Sequence, residues 1–181
     1  MTQPHITLIS FGYFGKQFLE QLAVPVRTEF GFAVTARESR LDLSEFFDPG
    51  RRQYDGNRLL DAVGKINFMG SVKNIGLFSV DLFIPILTYI FGQAELNGHA
   101  GIASLYRLHN ERYGMAADET LLFERFTKEV IHETGHTFGL IHCNTTDCVM
   151  HSSTYVEDID QKGMSLCPRC REHTGLYRQQ K

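Results

Sequence analysis

The stretch KEVIHETGHTFGLIHCNTTDCVM, from Lys128 to Met150, constrains the fold more than any other part of this chain. Residues four apart on a helix project from nearly the same face, so His132 and His136 can offer imidazole nitrogens to one ion if the segment is helical. Zinc binds such nitrogens at about 2.0–2.1 Å, which a fixed i, i+4 pair can satisfy. Glu133 stands one step round the helix, close enough to touch a water on such an ion without ligating it. That is the place of a general base. A straight helix would carry His142 too far along the axis. Gly139 can take the left-handed conformation that ends a helix and turns the chain, bringing His142 back as a third nitrogen donor. Three protein ligands leave a fourth position open, the mark of a catalytic site. The plainer alternative, surface histidines near a glycine cap, does not require these intervals.

A second constellation overlaps the first. All four cysteines lie between Cys143 and Cys170, and none occurs earlier. Cys143 and Cys148, then Cys167 and Cys170 in CPRC, give two close pairs that fit a closed tetrahedral thiolate site of the structural kind. A redox pair, two disulfides or buried free thiols remain open as alternatives. His142 and Cys143 are neighbours, and Met150 lies two residues past Cys148. A structural ion here would clamp the loop that presents the third histidine.

The rest of the chain supplies the frame. HITLISFG reads as a first strand, the segment from Gly15 to about Val26 as a helix, and FAVTARES as a second strand. A turn at Pro49 and Gly50 precedes a helix from roughly Asn57 to Ile66. NIGLFSVDLFI forms a third strand, and YIFGQAEL and GIASLYRL two more. A long helix begins near Asp118 to Thr120, where capping residues precede LLFERFTKEVIHETGH. This order argues for an α+β fold, layered like an α/β protein, with a mixed twisted sheet of about four to five strands and packed helices. At 181 residues it is expected to form one domain, with residues 1–139 holding the sheet and the active-site helix, and 140–181 forming a loop-rich lobe.

A net charge of −3 gives no reason to expect nucleic acid or an anionic membrane as a partner. The longest apolar run, LFIPILTYIFG, is about half of what crosses a bilayer and contains Pro85. The start, MTQPHITLISFGYFG, lacks the basic residues of a signal peptide. These features point to a soluble cytoplasmic protein, and a monomer is expected. The tail CREHTGLYRQQK, from Cys170, reads as solvated surface, and His109 and His151 as non-ligands.

HETGHTFGLIH followed by Met150 resembles the metzincin signature of zinc peptidases. Cys143 directly after His142, then CVM and CPRC, narrow the likeness to the archaemetzincins, over roughly Glu129 to Cys170. The loop from Met150 to Cys167 is one residue shorter than the family pattern, which leaves its path open. The resemblance implies two zinc ions. His132, His136 and His142 would hold the catalytic one and Cys143, Cys148, Cys167 and Cys170 the structural one. Glu133 would be the base, Gly139 the turn, and Met150 the apolar floor beneath the imidazoles. Some metzincins have a tyrosine two residues after that methionine; here the position is Ser152, and Tyr155 is a weak substitute. The implied activity is hydrolysis of peptide or protein substrates, with an inactive zinc protein that binds peptides as the alternative. Such substrates add to an edge strand, and Ala100 to Leu108 is the edge expected here.

Overall fold

The structure is a computed structural model and describes residues 3–175. Its main sheet has the order β2-β1-β5-β8-β7. Strands β1 (His5–Ser10), β2 (Ala33–Glu38), β5 (Ser71–Phe78) and β8 (Ala100–Ser104) run parallel, and β7 (Gly92–Ala94) closes one edge antiparallel to β8. Alternation along the strands feeds two cores, as the period of two in a pleated strand requires. Ile6, Leu8, Ile75, Leu77 and Ala103 face α1 (Lys16–Phe30) and α3 (Glu119–Thr137). Ile9, Phe11, Phe78 and Ile102 face α2 (Gly56–Gly64). The expected α+β class and strand number hold.

Several boundaries differ from the sequence reading. Helix α1 runs on to Phe30 through Pro25, and stops where Gly31 takes φ 72° and donates to the Arg27 carbonyl at 2.8 Å. NIGLFSVDLFI is two strands. After β5 the chain breaks, and β6 (Leu82–Phe83) joins a second small sheet with β3 (Phe47–Asp48) and β4 (Gln53–Asp55). The expected edge strand is also corrected. Strand β8 lies between β5 and β7 with all five residues buried, so the edge belongs to β7. Gly92, Gln93 and Ala94 carry no apolar alternation, which is why β7 is not recognisable as an edge from sequence.

Beyond Gly139 the described chain contains no strand and two short helices, α4 (Val156–Gln161) and α5 (Pro168–Thr174). It packs Val149, Met150, Val156, Ile159 and Leu166 against the face of the sheet that carries α3. The last part of the tail, 176–181, lies outside the described residues. No helix among the described residues is long and apolar enough to cross a membrane.

Candidate metal centres and cleft

Helix α3 builds the first centre. Asp118 caps its start, its carboxylate accepting from Leu121 N at 2.9 Å. The helix then runs through the middle of the molecule. Phe126, Val130 and Ile131 are buried in the core, and Arg125, Lys128, Glu129, His132 and Glu133 are buried as well. The helix ends in a paired cap. Gly139, at φ 87°, donates to the His136 carbonyl at 2.9 Å, and Leu140 N donates to the Gly135 carbonyl at 3.1 Å. The chain reverses there, and the candidate donor atoms of His132, His136 and His142 fall within 4.8 Å of one another.

The donor atoms are prepared. His132 Nδ1 donates to the Val149 carbonyl at 2.8 Å and His136 Nδ1 to the Leu140 carbonyl at 2.7 Å. These bonds leave both Nε2 lone pairs free, and the two atoms lie 3.1 Å apart. Two nitrogens bound to one tetrahedral zinc at ~2.0–2.1 Å would stand about 3.3 Å apart. Burial holds the His132 imidazole well below its usual range, helped by the nearby Lys162 ammonium and His136. Burial also lowers His136 and His142, so all three favour the neutral form that a metal requires. His142 is the exposed member, and the cluster opens on its side.

Met150 is fully buried against this helix. A Cβ at Gly135 would come within 2.5 Å of its sulfur, so the glycine lets the thioether lie directly on the turn that carries His132 and His136.

Glu133 points to the edge strand. A Cβ at Gly92 would meet a Glu133 carboxylate oxygen at 2.7 Å and the Ile102 carbonyl at 2.6 Å, so only glycine fits between helix and strand. Burial pushes the Glu133 carboxyl well above the usual range; the Glu129 carboxylate adds to this, and Lys162 opposes it.

Two charged residues here escaped the sequence reading. Lys162 Nζ donates to Glu129 Oε1 at 2.9 Å and to the His151 carbonyl at 3.4 Å. Both side chains are buried, at 0% and 4% exposure, so the pair ties α3 to the segment after Met150 from within. Glu129 precedes Glu133 by one helical turn, a local signal; its partner lies 33 residues away and leaves none.

The second centre gathers all four cysteines within the same 4.8 Å limit. Cys143 and Cys167 sulfurs lie 3.8 Å apart, as do those of Cys148 and Cys170. Zinc–sulfur bonds of about 2.3 Å give a tetrahedral edge near 3.8 Å, whereas a disulfide needs about 2.0 Å. The thiols therefore suit one ion and not two disulfides. Burial pushes the Cys143 thiol up, but hydrogen bonds from Thr145 and the neighbouring thiols outweigh it and bring it down to about 6. Cys143 N donates to the Met150 carbonyl at 2.9 Å, and the Cys143 carbonyl accepts from His151 Nδ1 at 2.9 Å. The two centres share this backbone.

A cleft of about 640 Å³ runs over the histidines. Strand β7 and the loop before it form one wall, and Ser153 to Tyr155 the other. Tyr155 lines the cleft and is 63% exposed at its rim.

The sequence model of peptidase family M54 matches residues 42–175. The chain belongs to the archaemetzincins, peptidase family M54. It is 36% identical over 172 residues to the archaemetzincin of Thermococcus kodakarensis, covering 91% of this chain and 92% of that one. The crystal structure of the archaemetzincin of Methanopyrus kandleri superposes with a TM-score of 0.81 at 32% identity, covering 96% of this chain and 94% of that one. A zinc-dependent peptidase from Methanocorpusculum labreanum does so with a TM-score of 0.83 at 26% identity, covering 93% and 99%.

Proposed function

We propose that this archaemetzincin hydrolyses peptide bonds with Glu133 as its general base, and that its described chain folds as one domain holding two zinc ions. By family the chain is a zinc metallopeptidase. His132, His136 and His142 would hold the catalytic ion, and Cys143, Cys148, Cys167 and Cys170 the structural one. The ion at the histidines supplies Lewis acidity, which polarises a carbonyl and acidifies water.

The protein's own groups do the rest. Phe91 O accepts from Ser104 N, and Glu95 N donates to Ala100 O. By the alternation of an antiparallel ladder, residues 91, 93 and 95 therefore face β8, and the backbone groups of Gly92 and Ala94 face the cleft. An extended peptide can add there as a further strand. Its carbonyl then lies beside the Glu133 carboxylate. Glu133 Oε1 takes the proton of the attacking water and returns it to the leaving amide nitrogen. Its raised affinity for a proton, caused chiefly by burial, suits a group that must hold that proton between the two transfers.

The observation that carries this reading is the pairing of free Nε2 atoms 3.1 Å apart with a buried carboxylate against a free strand edge. Glu133→Gln is expected to keep zinc, measured by elemental analysis, while kcat/KM on a peptide library falls about 10²–10⁴-fold. Unchanged turnover would remove Glu133 from the chemistry, and no turnover by either protein would leave a peptide binder.

A further inference from the structure

The cleft is not equally open at its two ends. Tyr89, on the strand side, donates its hydroxyl to the carbonyl of Thr154, on the opposite wall, at 3.1 Å. The two walls are one hydrogen bond apart there. Tyr89 is held for this contact. The Arg107 guanidinium lies 4.6 Å from its ring centroid and is itself gripped by both Asp81 oxygens. Phe91 meets the same ring edge-on at 5.5 Å. The loop carrying Tyr89 is pinned from below, where Arg51 donates to the Leu87 carbonyl at 2.9 Å and Gln53 to that of Thr88 at 3.0 Å.

The position of this contact gives it a meaning. A peptide that adds to the free edge of β7 in the more stable antiparallel sense runs opposite to the strand. Its C-terminal part then heads from Gly92 towards Tyr89. Glu133 touches Gly92, so the scissile bond lies near that residue. Tyr89 stands three steps of chain from Gly92, roughly 10 Å when extended; Ile90 N is already taken by the Leu82 carbonyl at 3.0 Å, so over that span the tail leaves the ladder and follows the cleft. A tail of about three residues beyond the cut fills that span, and a longer one meets the Tyr89–Thr154 contact.

We propose that Tyr89 and Thr154 form a strap across the exit of the cleft that selects peptides cut close to their C-terminal end. The proposal rests on the peptidase reading. The selection is a matter of degree, because the strap is a single hydrogen bond. Longer tails pass only when it opens.

The test uses the zinc-loaded protein and a series of peptides with one fixed N-terminal half and C-terminal tails of increasing length. In the wild type, kcat/KM is expected to drop about fivefold once the tail exceeds about three residues, the equivalent of one net hydrogen bond. Tyr89→Phe keeps the ring on Arg107 and removes the hydroxyl, and its profile is expected to be flat. Tyr113→Phe, which removes a hydroxyl bonded to the Arg107 carbonyl, serves as control and is expected to keep the drop. A wild-type profile indifferent to tail length, or one shared with Tyr89→Phe, overturns the strap. Binding of the same peptides, fluorescently labelled, to zinc-loaded Glu133→Gln separates the two claims. If no peptide is cut, the peptidase reading fails. The strap then stands only if wild-type anisotropy still shows weaker binding of long tails, relieved in Tyr89→Phe; length-independent binding overturns it.

Discussion

Residues up to Gly139 and residues after it stay folded by different means. The first region alternates apolar side chains across a five-stranded sheet and fills both faces with helices. The second has no strand among its described residues, and its helices span six and seven residues. Helices that short do not hold their shape alone. What fastens this region is a thiol cluster, the buried Lys162–Glu129 pair, the Arg125–Asp160 and Arg171–Glu29 pairs, and the apolar contacts of Val149, Met150, Val156, Ile159 and Leu166. The cleft lies where the two regions meet, with Glu133 and β7 on the first and His142 and Thr154 on the second. The reaction site therefore inherits the weaker region's dependence on its cross-links.

The sharpest way to break that contrast is Cys167→Ser. Thiolate zinc sites contribute on the order of 10 kcal/mol in small domains. The variant is expected to lose one zinc per chain and, with it, much of the occupancy at the histidines, while the circular dichroism of the sheet persists. Full occupancy at the histidines and an unchanged fold would show that the two centres are independent. Lys162→Met comes next. It leaves the Glu129 carboxylate buried without its ammonium and should lower stability by about 3–5 kcal/mol in urea denaturation. Pairing it with Glu129→Met should recover most of that loss, because the cost lies in the uncompensated charge. Gly135→Ala is the mildest. Its methyl would enter the space of the Met150 sulfur, costing about 1–3 kcal/mol, and the melting temperature should fall with zinc still bound at the cysteines.

The two regions also differed in how far the sequence revealed them. Helix α3 announced itself through Asp118 and through the spacing of its histidines, since both are local patterns. The gathering of His142 with His132 and His136 was legible for the same reason: Gly139 marks the reversal within a few residues. The edge strand was not legible. β8 outranks β7 in apolar content, and only the neighbours of a strand decide which one is outermost. β3, β4 and β6 are two or three residues long and carry too little pattern to read. Lys162 and Tyr89 were missed because their partners, Glu129 and Thr154, come from distant parts of the chain.

Helix α3 carries charge on sides where an ordinary helix would meet solvent. Arg125 is gripped by Asp160 at 2.6 and 2.7 Å, Lys128 by the Ile159 carbonyl at 3.1 Å, and Glu129 by Lys162. None of these partners belongs to the motif that advertises the site. Grafting HETGHTFGLIH onto another scaffold would transplant the donors and leave behind Arg125, Lys128 and Glu129, whose partners fix the helix in place, so the motif is portable as text and not as chemistry.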